Sequence, residues 1–265
     1  MNILISGVTG YLGCNINDYL SLNHQISVLN KEYCINNPKN GYDVFLYFSN
    51  PNEINFHNNE YQSIIDMINN FYSIIDVLQK NRIKHILYAS TMRIHDEKKN
   101  VYASTHLFVE NLLENFSINN DIYLSKIRFG NIFGGNISSI LKRNTLVPHV
   151  FIKQAIENHK ITLFTNGMQY RDFTPISVVK KYVDYILVKK PQEIDVCTGN
   201  NFKVLDVAKI IKSIFPSIDI HTSNKSLNEN KKEYKSILSV SRDDVIKEIV
   251  NLAYDLKNNY DKNIK

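Results

Sequence analysis

Three glycines, Gly7-x-x-Gly10-x-x-Gly13, follow the apolar, β-capable run Asn2–Ser6 and precede Ile16, Tyr19 and Leu20, which recur at helical spacing. Strand, glycine turn and helix in that order are what a phosphate-binding turn requires. Gly7 permits the tight turn, Gly10 lets the backbone approach a pyrophosphate, and Gly13 lets the helix pack closely, while the helix N-terminus aims its amides at the anion. A bound dinucleotide is therefore expected, with Thr9, Tyr11 and Leu12 of the same turn in its site. The residue closing the second strand selects among dinucleotides, because an acid there accepts bonds from the adenosine ribose and repels a 2′-phosphate. Asn30 followed by Lys31 occupies that place, which favours NADP(H) over NAD(H).

The elements that must position this turn are legible from periodicity. Strands are expected at Ile26–Leu29, Tyr42–Phe48, His85–Ala89 and Tyr123–Arg128. Between them, helices are expected near Ser63–Asn81 and Tyr102–Asn115, with only a short polar stretch around Pro38 separating the second and third strands. Alternation at this rhythm predicts an α/β fold, a doubly wound parallel sheet with helices on both faces. After the turn Gly130–Gly135, shorter elements follow: a helix over Pro148–Asn158, an extended stretch Ile161–Phe164 and an amphipathic helix Asp243–Leu256. These form a smaller C-terminal α/β lobe. The expected division assigns residues 1–130 and 172–198 to the dinucleotide domain and residues 131–171 and 199–265 to the lobe.

Composition excludes several classes of function. The 265 residues carry a net charge of +5, with Lys and Arg scattered among 26 acidic residues apart from the polar run Asn228–Lys232, so no nucleic-acid footprint is expected. No apolar run reaches membrane-spanning length, and Met1–Ser6 does not resemble a signal peptide. The three cysteines, Cys14, Cys34 and Cys197, are odd in number and far apart, so neither a disulfide framework nor a metal site is expected, and a cytoplasmic location is.

The chain resembles the extended short-chain dehydrogenase/reductase family that acts on nucleotide-activated sugars. The resemblance rests on the glycine turn together with Tyr88-Ala89-Ser90-Thr91, Tyr102-Ala103-Ser104-Thr105-His106, Arg128-Phe129-Gly130-Asn131-Ile132-Phe133-Gly134 and Gly167-Met168-Gln169-Tyr170-Arg171-Asp172-Phe173. It implies a Rossmann-type fold in which Thr91 polarises a substrate carbonyl and Tyr102 passes the proton. The family's lysine, four residues after the tyrosine, is His106 here. That spacing keeps it on the face of Tyr102, but an imidazole is only partly cationic at neutral pH. Three outcomes stay open: a slower or acid-shifted enzyme, a substitute cation from elsewhere, or a protein that binds cofactor without turnover.

The resemblance also implies Phe48, Ser49 and Phe129 in the cofactor site. In the substrate site it implies Met92, Asn131 and Arg171 toward the diphosphate and sugar, with Pro148 and Phe164 flanking the nucleobase. Met92 and Arg93 replace the acid pair of sugar dehydratases, so dehydration is not expected. The expected activity is NADPH-dependent reduction of a nucleotide-linked 4-keto-6-deoxy sugar for surface polysaccharide. The alternatives are an NAD-dependent C4 epimerase and a non-catalytic binding protein. The expected partner is a nucleotide-diphosphate sugar, and a homodimer through the helices near 59–81 and 102–115 is implied as well.

Overall fold

The computed structural model describes all residues except 99, 143–144, 227–232 and 264–265, so the Asn228–Lys232 run lies outside the described residues. The chain divides into two compact units, residues 1–129 with 183–195 and residues 130–182 with 196–265.

The first unit begins with β1 (Asn2–Ser6), α1 (Tyr11–Leu20) and β2 (Gln25–Leu29), then β3 (Ile35–Asn36), β4 (Val44–Tyr47), α2 (Glu53–Asn58), α3 (Glu60–Lys80), β5 (His85–Thr91), α4 (Val101–Asn119) and β6 (Tyr123–Phe129). The second contains β7 (Asn131–Phe133), α5 (Ile137–Lys142), α6 (Val147–Asn158), β8 (Lys160–Leu163) and β9 (Tyr170–Pro175). Then follow α7 (Ile176–Lys189), β10 (Glu193–Val196), β11 (Asn201–Lys203), α8 (Val204–Ile214), β12 (Asp219–Thr222) and α9 (Arg242–Asn263).

The main sheet runs β10-β6-β5-β4-β1-β2-β3. The pairs β1–β2, β1–β4, β4–β5 and β5–β6 are parallel, as expected for βαβ crossovers, and β1 with its glycine turn lies at the point where the strand order reverses. Its strands are buried because helices cover them: Met67, Ile74, Val77 and Leu78 of α3 and Val109 and Leu113 of α4 pack on Phe45, Tyr47, Ile86 and Tyr88. Asn59 and Asn100 start these helices by accepting from Gln62 N and Ala103 N. The α3 face implied in dimerisation leaves Tyr61, Ile65, Ile68 and Tyr72 exposed.

Two features depart from expectation. The polar stretch around Pro38 holds a short strand, β3, that pairs antiparallel to β2 through Val28↔Asn36 and Leu29↔Ile35. Too few residues separate β2 from β4 for a helical crossover, so the chain folds back as a hairpin. Residues 172–182, expected with the dinucleotide domain, lie in the second unit, where β9 is hydrogen-bonded between β11 and β7. That unit's core joins Phe133, Phe151, Phe173, Phe202, Ile211 and Ile249, and a second small sheet pairs β12 with β8.

Among the described residues no helix is long and apolar enough to cross a membrane, and no group of three or more His, Cys, Asp or Glu could hold a metal. None of the three cysteines is in a disulfide.

Candidate functional site

The glycine turn is built by backbone contact. Gly7 sits at φ 74, and a Cβ there would lie 2.6 Å from the Phe48 backbone; a Cβ on Gly13 would lie 2.1 Å from Gly7 O. At Gly10 the nearest atom to such a Cβ is Gly7 O at 3.2 Å, so the outer side of the turn is open. Gly10 caps α1 with no side-chain bond, and the first turn of the helix carries no acid. Backbone amides at a helix start without an acid in its first turn suit a phosphate. Thr9 and Gly10 are exposed, Leu12 is half-buried, and Tyr11 and Gly13 are buried.

At the ends of the neighbouring strands, Phe48 N donates to Ser6 Oγ, and the Phe48 ring meets Phe129 edge-on with centroids 6.3 Å apart. Ser49 Oγ lies 3.0 Å from Ser6 Oγ and 3.4 Å from Asn70 Oδ1. The residue read as the selector of dinucleotide is already engaged. Asn30 Oδ1 accepts from Cys34 N at 2.8 Å and Asn30 N donates to Cys34 O, which closes the β2–β3 hairpin, while Lys31 is exposed.

Thr91 and Tyr102, expected to handle the proton, stand at the carboxyl end of β5 and the start of α4, which packs on β5 and on the one-turn 3₁₀ helix Met92–His95. Thr91 Oγ1 accepts from Arg93 N at 3.2 Å, capping that turn and leaving its hydroxyl proton for another acceptor. The preceding Ser90 Oγ is buried with no partner. Tyr102 is half-buried, its ring edge-on to Phe56 at 5.4 Å and to His106 at 4.7 Å. Met92 is buried.

His106 differs from expectation. It is 2% exposed, and its Nδ1 lies 2.9 Å from the Tyr88 hydroxyl. Burial pushes the Tyr88 phenol well above its ordinary pKa, so Tyr88 keeps its proton and can donate it to Nδ1 in the tautomer protonated on Nε2. The proton of His106 then sits on Nε2, a buried atom with no partner. Burial alone lowers the His106 pKa to about 3. The imidazole is therefore neutral at neutral pH, where a partial cation was expected, and it supplies no positive charge to stabilise a Tyr102 phenolate.

This burial has a measurable consequence. His85, also buried, has its pKa pushed down to about 4, chiefly by desolvation. Both histidines stay neutral in the fold but take up protons near pH 6.5 once unfolded, so the unfolded chain binds more protons below that pH. Their stabilising contribution is complete above about pH 6.5 and is lost as pH falls toward 4. Urea midpoints are expected to drop between pH 7.5 and pH 5, and His106→Gln to reduce that slope; a midpoint independent of pH would contradict the neutral, buried assignment.

In the second unit Asn131 is half-buried and donates from Nδ2 to Asp172 O at 3.2 Å. Arg171 Nη1 donates to its neighbour Tyr170 O at 2.8 Å. Asp172 accepts instead from Thr198 N, Thr198 Oγ1, Gly199 N and Thr174 Oγ1, donors that hold its carboxyl down while burial pushes it up. Phe164 is 83% exposed and free to meet a ligand. Pro148 is buried in the first turn of α6, where a proline suits the helix start.

Tyr88, Phe56 and Asn70 were missed as partners of the site. Each reads as an ordinary core or helix residue, and only its position in the fold reveals the role.

Residues 64–197, half of the chain, match the NAD dependent epimerase/dehydratase family. The chain belongs to that family. It is 29% identical over 122 residues to the dTDP-L-rhamnose 4-epimerase of Burkholderia thailandensis, covering 45% of this chain and 33% of that protein. It is 24% identical over 172 residues to an uncharacterized UDP-glucose epimerase of Bacillus subtilis, covering 59% and 53%. The chain thus spans only a third to a half of the length of these relatives. Its fold is that of a UDP-N-acetylglucosamine 4-epimerase from Methanobrevibacter ruminantium, with a TM-score of 0.79 at 15% identity over 96% and 97% of the two chains. RMD from Pseudomonas aeruginosa, solved with NADPH, gives a TM-score of 0.77 at 12% identity over 96% and 99%.

Proposed function

We propose that this family member interconverts C4 epimers of a nucleotide-diphosphate sugar, using a dinucleotide that it retains. The observation that carries this reading is the placement of Thr91 and Tyr102 on packed neighbouring elements of the unit that also holds the open glycine turn. The 4-epimerase relatives support it, and the buried orphan atoms Ser90 Oγ and His106 Nε2 beside Thr91 and Tyr102 fit a site completed by a ligand.

When bound, the dinucleotide supplies reversible hydride transfer. Gly7–Gly13 hold its pyrophosphate, Phe48, Ser49 and Phe129 line its path, and Thr91 donates a hydrogen bond to the sugar C4 oxygen. Tyr102 Oη would take the proton of the C4 hydroxyl and return it to the same oxygen once the 4-keto sugar presents the other face of C4 to the dinucleotide. Within the second unit, Asn131 and Arg171 carry amide and guanidinium donors of the kind that suit a diphosphate, and Phe164 an exposed aromatic face. NAD(H) suits this cycle, because an epimerase needs no external reductant, and the Asn30 amide oxygen is taken up by Cys34 N in the hairpin.

One observation favours a second reading, the NADPH-dependent 4-ketoreductase. His106, neutral at the position of the family's lysine, brings no charge of its own to Tyr102, which suits donating a proton better than accepting one. Incubation with UDP- and dTDP-hexoses, read by proton NMR and by absorbance at the reduced-nicotinamide band, separates the two. Epimer formation with no net dinucleotide change supports the epimerase. Stoichiometric NADPH consumption with a 4-keto sugar supports the reductase, and neither signal with bound dinucleotide overturns both.

A further inference from the structure

A hairpin takes the place of a helical crossover after β2, and one residue in it has an unusual backbone. Tyr33 lies at φ 57, a left-handed conformation that bulky side chains rarely adopt. Strain of this kind persists only where the surroundings impose it. Here they do. Tyr33 N donates to Asn30 O at 3.2 Å, and the Tyr33 hydroxyl donates to Asn70 Oδ1 at 3.1 Å.

Asn70, on α3, is itself held: its amide nitrogen donates to Ser49 O at 2.6 Å and to the Tyr47 hydroxyl at 3.0 Å, and lies 3.3 Å from Asn50 Oδ1. One side chain therefore ties the loop after β2 to the loop after β4. Because β4, β1 and β2 are adjacent and parallel, both loops leave the sheet at the same edge as the Gly7–Gly13 turn. The Tyr33 ring is half-buried, with one part packed on the core beneath and the rest exposed.

We infer that Tyr33 is the nucleobase platform of the dinucleotide site, presenting its ring to the adenine while Asn70 fixes its angle. This rests on the dinucleotide reading above. An aromatic ring already pinned by its hydroxyl loses little freedom when a base stacks on it, and stacking needs a π-face rather than a specific donor pattern. No helix follows β2 before β4, only the short hairpin strand β3, and the Asn30 amide oxygen beside Tyr33 is already engaged by Cys34 N.

Calorimetric titration of the full chain with ADP-ribose, 5′-AMP and nicotinamide mononucleotide tests this without turnover. Tyr33→Leu is expected to weaken ADP-ribose and 5′-AMP about tenfold, equivalent to about 1.4 kcal/mol, and to leave the mononucleotide unchanged. Tyr33→Phe, which keeps the ring and loses only the tether, is expected to weaken them less, and it carries the test if the leucine variant fails to fold. Equal affinity in wild type and both variants overturns the platform while leaving the dinucleotide reading intact. A wild-type chain that binds neither ADP-ribose nor 5′-AMP overturns both.

Discussion

Tyr102→Phe is expected to lower turnover by about 10²- to 10⁴-fold, the range associated with a positioned proton-transfer group, while leaving dinucleotide affinity unchanged. The substitution removes one oxygen. The phenylalanine ring still fits between Phe56 and His106, which meet the Tyr102 ring edge-on at 5.4 and 4.7 Å, so the geometry of the first turn of α4 is retained. Loss of rate without loss of binding is the signature of a group acting on the reaction rather than on affinity. Steady-state assays on the product-forming sugar, paired with titration of the dinucleotide, provide the check. Turnover within a factor of about five of wild type would remove Tyr102 from the reaction and reopen the non-catalytic reading.

The largest expected effect on stability lies one turn beyond His106. Glu110, 1% exposed, accepts from Arg128 Nε at 3.2 Å and from Nη2 at 2.8 Å, a two-pronged pair that ties α4 to β6. Arg128 also donates to Glu193, which Lys126 shares, but Glu193 is half exposed. Burial works against the Arg128 charge, and the Glu110 bonds outweigh it. Glu110→Ala would leave a guanidinium buried with only a solvent-facing partner. Breaking a buried pair from one side costs about 3–5 kcal/mol, and urea unfolding followed by circular dichroism is expected to show a loss of that order. Asp43→Ala, which removes the exposed pair with Lys84 and one bond accepted from Asn2 N, should cost less, under about 2 kcal/mol. A Glu110 variant as stable as the Asp43 variant would mean that Arg128 finds another partner. The same element carries Tyr102, so the pair also holds the candidate proton donor in place.

What the sequence determined by itself is local. The run Asn2–Ser6 followed by Gly7-x-x-Gly10-x-x-Gly13 encodes strand, turn and helix, because side chains at Gly7 and Gly13 would collide with backbone a few residues away or on the adjoining strand. The apolar spacing through α3 and the β-capable run at β5 encode their buried faces. The four-residue interval from Tyr102 to His106 puts both on one face of α4, whatever packs against it.

The charge of His106 could not be read that way. It depends on the loss of water around the ring and on a hydroxyl from Tyr88, 18 residues away on another element. The state of Asn30 depended on a hairpin whose partner strand is two residues long, too short to register as a period. Pro148 has the same side chain at a loop surface or in a buried helix start, and only the packing of α6 distinguished them. Tyr33 and Asn70 are joined across the ends of β2 and β4 by one hydrogen bond that neither residue's neighbours foretell. Periodicity reports which face of an element is turned inward; protonation, satisfied donors and the walls of a site are pairwise properties of segments distant in the chain. Tertiary structure decided those, because desolvation and long-range hydrogen bonds exist only once the segments meet.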